Sequence, residues 1–201
     1  MKKLLLTSDG LSSRKIMKEA KKLLTKPAKE TRALIIYTLR KKSYIKYVRK
    51  VKKHLLKLGI KRKSIFYANI SHNITVPKQD FDIIYSCGGN TFFILNRMRK
   101  TGFDKFIKKF IKKGGFYIGV SAGSILVSKN IELAGWDRGW DVNDVGLKNL
   151  KGLNLAPAVV CPHFTAKEKK RADSFEKAHY PIVRLRDRQA LLILGNKVKK
   201  I

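Results

Sequence analysis

The sequence predicts an α/β fold in three layers, a mostly parallel sheet with helices on both faces. Two features carry the prediction. Short apolar, β-branched runs of strand length alternate with amphipathic stretches of helical period, and glycine-bearing turns punctuate them. In a parallel sheet covered on both faces, strands read as continuous apolar runs rather than as an alternating pattern. Lys3 to Thr7 and Ala33 to Thr38 read that way.

In chain order, the strand at Lys3 to Thr7 is followed by a helix over Ser12 to Leu24 and a second strand at Ala33 to Thr38. The segment Tyr44 to Leu58 places Tyr44, Tyr47, Val48, Val51, Leu55 and Leu58 on one helical face, with Lys and Arg opposite. Strands follow at Ser64 to Ala68 and Asp82 to Ser86, then helices at Thr91 to Lys100 and Asp104 to Lys113. Gly114-Gly115 stops the second of these helices, and Phe116 to Val120 forms a strand running straight into Ser121. Beyond Asn130 the periodicity weakens, and Gly135 to Gly146 reads as a structured loop. Ile182 to Leu185, Ala190 to Leu194 and Lys197 to Ile201 are short strands, the last two joined by a Gly195-Asn196 hairpin turn.

At 201 residues the chain has the length of one domain, and 44% hydrophobic residues suffice for a packed core. The apolar run after Met1-Lys2-Lys3 stops at Thr7-Ser8-Asp9-Gly10, too short for a signal peptide. No run approaches the about 18 residues of a membrane span. Cys87 and Cys161 form neither a disulfide framework nor a metal-ligand spacing, and no cofactor or metal is expected. These features lead to the expectation of a cytoplasmic protein with no membrane partner; oligomerisation stays open.

The net charge of +32 is extreme for a small chain. Clustered lysine and arginine bind nucleic acid by displacing counterions from phosphates. Here the basic residues spread through 15–26, 41–57, 105–113 and 167–177, without an aromatic RNA-binding signature. Nucleic acid is therefore not expected as the primary partner. A field of this sign would concentrate acidic substrates.

Gly119-Val120-Ser121-Ala122-Gly123 fits G-x-S-x-G between a strand and a helix, making Ser121 the candidate nucleophile. Side chains at the two glycines would collide with this sharp turn, and the Ala122 amide could face an oxyanion. Of the four histidines, His54 falls on a helix between Lys53 and Leu55 and reads as solvated. His179 reads as a helix C-terminal residue, and His72 as a loop residue that could line a cleft. His163 follows the apolar run Ala158 to Cys161 at a strand's carboxyl end, where a base for Ser121 is expected. Glu132, Asp137, Asp141, Asp144 and Asp187 are candidate acids, and their positions do not choose among them. Cys87-Gly88-Gly89-Asn90-Thr91 is a second glycine turn opening a helix. Its amides could approach a substrate carbonyl while Asn90 or Thr91 caps the helix.

Together, Gly88-Gly89-Asn90-Thr91-Phe92, Gly119 to Ser124 and Pro162-His163-Phe164 resemble peptidase family S51, which contains peptidase E and cyanophycinase. The resemblance implies a class I glutamine amidotransferase-like fold in which a serine replaces the nucleophilic cysteine. It implies Ser121 as nucleophile, His163 as base, Asp187 as acid with Asp137 as the alternative, and an oxyanion site at the Gly89 and Ala122 amides. The family pattern carries a glutamate where Asp187 stands. The resemblance further suggests Asn90 and Arg171 as substrate contacts, near Lys169 and Lys170. The expected activity is a serine exopeptidase of dipeptidase type, acting on short peptides with a preference for N-terminal aspartate. The alternatives are a polyanion- or nucleic-acid-binding protein on the same fold, and an amidotransferase-like hydrolase of a non-peptide amide.

Overall fold

A computed structural model describes residues 1–40, 44–137 and 140–201. Lys41, Lys42 and Ser43 of the basic 41–57 stretch, and Arg138 and Gly139 of the Gly135 to Gly146 loop, lie outside the described residues.

Seven strands form the main sheet: β1 (Lys3–Thr7), β2 (Ala33–Tyr37), β3 (Ile65–Asn69), β4 (Ile83–Ser86), β5 (Phe116–Val120), β8 (Ala190–Leu194) and β9 (Lys197–Lys200). Their order is β3-β2-β4-β5-β1-β8-β9. The first five are parallel, and β8 and β9 add an antiparallel hairpin beside β1, with Leu194 opposite Lys197. Two further strands, β6 (Val159–Cys161) and β7 (Ile182–Arg184), pair in parallel as a separate small sheet. The strand read at Ile182 is thus real, but it lies outside the main sheet. The helix α6 (Lys169–Ala178) makes the crossover between β6 and β7.

β1 shows why these runs fold as they do. Leu4, Leu5 and Leu6 have no exposed surface, yet they point to opposite faces of the sheet. Leu4 and Leu6 join a core with α3 (Thr91–Thr101), α4 (Phe103–Lys112) and α5 (Ala122–Ile125). Leu5 joins the opposite core with α1 (Arg14–Lys22) and α2 (Ile45–Leu58). Burying each leucine contributes about 2 kcal/mol, so both layers are held by the same strand.

Helix ends follow local chemistry. α1 begins after Ser13, whose Oγ accepts the Ile16 N–H at 3.2 Å, so Ser12 stays outside it. Gly102, at φ 76°, both ends α3 and turns the chain into α4. α5 stops after four residues because backbone groups of the next segment bond elsewhere: the Leu126 carbonyl accepts from Leu153, and that of Val127 from Leu155 and Ala156. Among the described residues no helix is long and apolar enough to cross a membrane.

Strands β4, β5 and β1 are neighbours at the sheet's centre, so the turns at their carboxyl ends converge. Those turns carry Gly88-Gly89, Ser121 and Ser8.

Candidate active site

Ser121 sits directly after β5 at φ 50° and ψ −115°, a backbone conformation that a non-glycine residue adopts only when its surroundings enforce it. Its N–H donates to the Thr7 carbonyl at 3.0 Å, and its carbonyl accepts from Ser124 at 2.8 Å. Ser124 Oγ donates to the same Thr7 carbonyl at 2.8 Å, and Tyr117 donates its hydroxyl to the Gly123 carbonyl at 2.7 Å. The two flanking glycines are required by space. A β-carbon at Gly119 would lie 2.6 Å from the Gly123 oxygen, and one at Gly123 would lie 2.4 Å from the Ser86 oxygen. The bracing holds the Ser121 hydroxyl clear of the sheet.

His163 follows β6 and is also left-handed, at φ 54°. Its Nε2 lies 3.1 Å from Ser121 Oγ, and its Nδ1 lies 2.7 Å from Asp187 Oδ1. With its proton on Nδ1, the ring donates to the carboxylate and accepts the serine proton at Nε2. Asp187 stands in the turn between β7 and β8 and takes a second hydrogen bond, from Ser8 Oγ at 2.7 Å. Burial alone would push the Asp187 carboxyl up, but the hydrogen bonds from Ser8 and His163 outweigh it and hold the group below its ordinary value. Three of the residues singled out in the sequence thus meet in one hydrogen-bonded chain.

Asp137 is exposed, at φ 47°, on the wall of a different hollow beside Trp136. The Nδ1 position that an acid must occupy is taken by Asp187. Asn90 caps α3 instead of facing the cleft. Its Oδ1 accepts the Phe93 N–H and its Nδ2 donates to the Val142 carbonyl, each at 2.8 Å, which occupies both ends of the amide. Arg171 is buried on α6, donating to Glu168 at 2.8 Å and to the Leu133 carbonyl at 2.9 Å, with Trp140 stacked 3.8 Å from its guanidinium. These contacts occupy it away from Ser121. Its four-residue spacing from Phe175 puts it on the inner face of the helix, a signal the run of neighbouring lysines obscures.

The cleft at Ser121 encloses about 290 Å³. His163, Gly88, Gly89 and Val120 line it near the serine, and Tyr44, Tyr47, Lys50, Val51 and His54 of the α2 region form another part of its wall, with Ser8, Asp9 and Asp141 completing it. A β-carbon on Gly88 would fall 3.3 Å from the Ser121 β-carbon, so the glycine turn lies against the serine. Gly89 has φ 145°. Ala122 opens α5, and the first amides of a helix have no partner within it. Asp141 Oδ2 accepts both the N–H and the hydroxyl of Thr91, at 2.8 and 2.6 Å, and burial raises its carboxyl. His72 is exposed and outside the cleft wall. His179 caps α6 and stacks on Phe175, with ring centroids 4.6 Å apart.

His54 departs from its expected solvated position. It is buried, with Nδ1 3.0 Å from the Tyr85 hydroxyl. The flanking lysines hide the fact that His54 lies three residues after Val51 and four before Leu58, on the apolar face of α2. Burial, assisted by the charge of Lys50, pushes its ring down to about 4. In the unfolded chain a histidine titrates near about 6.5. The folded value is the lower one, so the unfolded state takes up the proton first, and stability is lost as pH falls from the unfolded value toward the folded one. His54→Gln is expected to flatten that loss, by up to about 3 kcal/mol before solvent screening at the cleft mouth is allowed for. Urea unfolding of both proteins at about pH 7 and about pH 4.5 checks it.

Both cysteines are free and buried, which raises the Cys87 thiol to about 12 and that of Cys161 to about 11. A thiolate nucleophile is disfavoured at either position.

A braced serine on a strand-to-helix turn of a parallel sheet is thus hydrogen-bonded to a histidine, and that histidine to an acid, both placed just after strands of the small sheet. The chain belongs to peptidase family S51, whose model matches residues 4–201. An uncharacterized peptidase of Listeria monocytogenes is 38% identical over 121 residues, a stretch covering 59% of this chain and 58% of that protein. Peptidase E of Escherichia coli is 33% identical over 97 residues, covering 47% of this chain and 40% of the relative. The matched stretch thus spans about half the length of these curated relatives. The crystal structure of a peptidase E candidate from Listeria monocytogenes EGD-e superposes with a TM-score of 0.80 at 27% identity, covering 100% of this chain and 98% of that one. A peptidase from an acI-B1 actinobacterium shares the fold, with a TM-score of 0.72 at 17% identity, covering 100% of this chain and 87% of that one.

Proposed function

We infer that this protein is a cytoplasmic serine exopeptidase that cleaves short peptides through an acyl-enzyme on Ser121. The observation that carries the reading is the hydrogen-bonded chain from Ser121 Oγ through His163 to Asp187, at 3.1 and 2.7 Å. His163 Nε2 takes the hydroxyl proton as Ser121 Oγ attacks the peptide carbonyl. Charge developing on the carbonyl oxygen is met by amides of the Gly88-Gly89 turn and of Ala122. The imidazolium then returns its proton to the leaving amine. Water, deprotonated by the same nitrogen, releases the acid product and restores Ser121. Asp187 accepts the Nδ1 proton throughout and stabilises the imidazolium.

The cleft's small volume favours dipeptides and similarly short substrates. Lys50, on α2, lines the cleft, with its Nζ 4.0 Å from Asp9. It takes the role assigned from sequence to Arg171, pairing with an acidic substrate side chain. An N-terminal aspartyl dipeptide is therefore the expected substrate type. Lys50→Ala is expected to raise KM for Asp-Leu by about two- to fivefold, the scale of one partly solvated ion pair, and to leave Ala-Leu nearly unchanged. Steady-state hydrolysis of the two dipeptides by both proteins tests the assignment. Equal effects on both substrates would remove Lys50 from it, and hydrolysis of neither by the wild type would remove the dipeptidase reading itself.

A further inference from the structure

Ser8 was not among the residues that the sequence motifs single out, yet it touches two of the three groups in the hydrogen-bonded chain. It is the first residue after β1, fully buried, and its N–H donates to the Gln189 carbonyl at 3.2 Å. A serine hydroxyl has one proton and two lone pairs. The Ser8 proton is directed to Asp187 Oδ1, 2.7 Å away, and a lone pair accepts the backbone N–H of His163 at 2.8 Å. The His163 Nδ1 atom lies 3.4 Å from the same oxygen, beyond the 2.7 Å at which it meets Asp187.

We propose that Ser8 is a positioning residue for the reaction, fixing the left-handed backbone of His163 and the carboxylate of Asp187 with one hydroxyl. The inference rests on the reading of Ser121, His163 and Asp187 as the reacting set. Its logic is geometric. Asp187 Oδ1 receives two donors, the imidazole and Ser8, so tilting the carboxylate out of its present plane weakens both bonds at once. His163 sits at φ 54°, where a side chain is strained, and its N–H is tied to Ser8. Because β1 pairs with both β5 and β8, the Ser8 turn is held between the strand that carries Ser121 and the turn that carries Asp187. One hydroxyl therefore links the base, the acid and the centre of the sheet.

Removing the hydroxyl has two consequences. The imidazole loses the anchor of its backbone, so fewer molecules hold Nε2 within reach of Ser121. The carboxylate loses a donor, its charge becomes more localised toward the imidazole, and the imidazolium form gains stability. The acid limb of activity then moves to higher pH. Other charges near the pair are Lys50 of α2 and Asp9 of the β1 turn. Arg186 and Arg188 flank Asp187 in sequence, and His54 stands in the cleft wall. All of these are retained in the variants, so a displaced limb reports the lost hydroxyl.

The experiment measures the pH profile of kcat/KM for Asp-Leu with Ser8→Ala, Ser8→Cys and Ser8→Thr. Ser8→Cys keeps the volume with a weak donor and serves if Ser8→Ala folds poorly. Loss of kcat by about 10–100-fold, the scale on which outer partners of reacting groups act, is expected for Ala and Cys, with KM little changed. Their acid limbs should shift upward, and Ser8→Thr should recover both rate and limb. In Asp187→Asn the further change Ser8→Ala should no longer move the acid limb and should cost less rate than in the wild type, since only the His163 anchor is left to lose. A wild-type rate and limb in Ser8→Ala or in Ser8→Cys would overturn the proposal. So would a uniform loss at every pH, or full additivity with Asp187→Asn. If the wild type shows no Ser121-dependent hydrolysis, the parent reading has failed instead, which separates the two.

Discussion

Ser121→Ala is expected to lower kcat for Asp-Leu hydrolysis by about 10⁴–10⁶-fold, the loss that follows deletion of a nucleophile whose partners act as a unit. The backbone bonds at this turn, from Ser121 N–H to the Thr7 carbonyl and from Ser124 to the Ser121 carbonyl, do not involve the side chain. The variant should therefore fold with an unchanged melting temperature to within a few degrees and bind substrate with similar affinity. Steady-state kinetics together with calorimetric product-inhibition titrations would check both halves. Hydrolysis at the wild-type rate would exclude Ser121 as nucleophile. Residual turnover well above background would point to water attack assisted by His163 and the glycine-turn amides.

Asp187→Asn is expected to lower kcat by about 10⁴-fold, with KM held within a few-fold. An amide in place of the carboxylate can donate to Nδ1, which favours the tautomer with its proton on Nε2, the nitrogen that must accept from Ser121. It also removes the negative charge that stabilises the imidazolium. Because Ser8 and His163 hold the Asp187 carboxyl below its ordinary value, the wild-type acid stays ionised well below neutrality. Asp137→Asn gives the contrasting arm. The exposed Asp137 lies away from Nδ1, and its variant should stay within about threefold of wild type, the near-neutral range of surface changes. If Asp137→Asn were the crippled variant and Asp187→Asn the mild one, the acid would be misassigned.

The order of strands and helices was legible because burial on both faces makes strands such as Leu4-Leu5-Leu6 continuously apolar, while α2 and α4 repeat at helical period. Ser121 was legible for a different reason: the two glycines the turn requires flank it at fixed spacing. His163 emerged from its place at a strand end. What the chain did not reveal locally were contacts made only by strand order. Ser8 reaches His163 and Asp187 because β1 lies between β5 and β8, and no periodicity within residues 3–10 encodes that neighbour relation. The partners of Asn90 and Arg171 were hidden for a related reason. Both are polar residues at sites the family resemblance marks, and both spend their hydrogen bonds on their own scaffold: Asn90 on the start of α3, Arg171 on Glu168 and Leu133. His54 was legible in principle from Val51 and Leu58, but the neighbouring lysines masked the helical face it occupies.

The sheet ends at β9, whose four residues, Lys197, Val198, Lys199 and Lys200, are all exposed. An outer strand offers unpaired backbone groups to any other strand that approaches, which is the usual route to sheet-to-sheet aggregation. Here two copies meeting edge to edge would bring rows of ammonium groups within about 5 Å of each other, the spacing of paired strands. Repulsion at that distance opposes zippering while leaving the backbone of β8 covered. The surplus of positive charge thus acts as a guard on an open border of the sheet, and its protection weakens as salt screens the lysines.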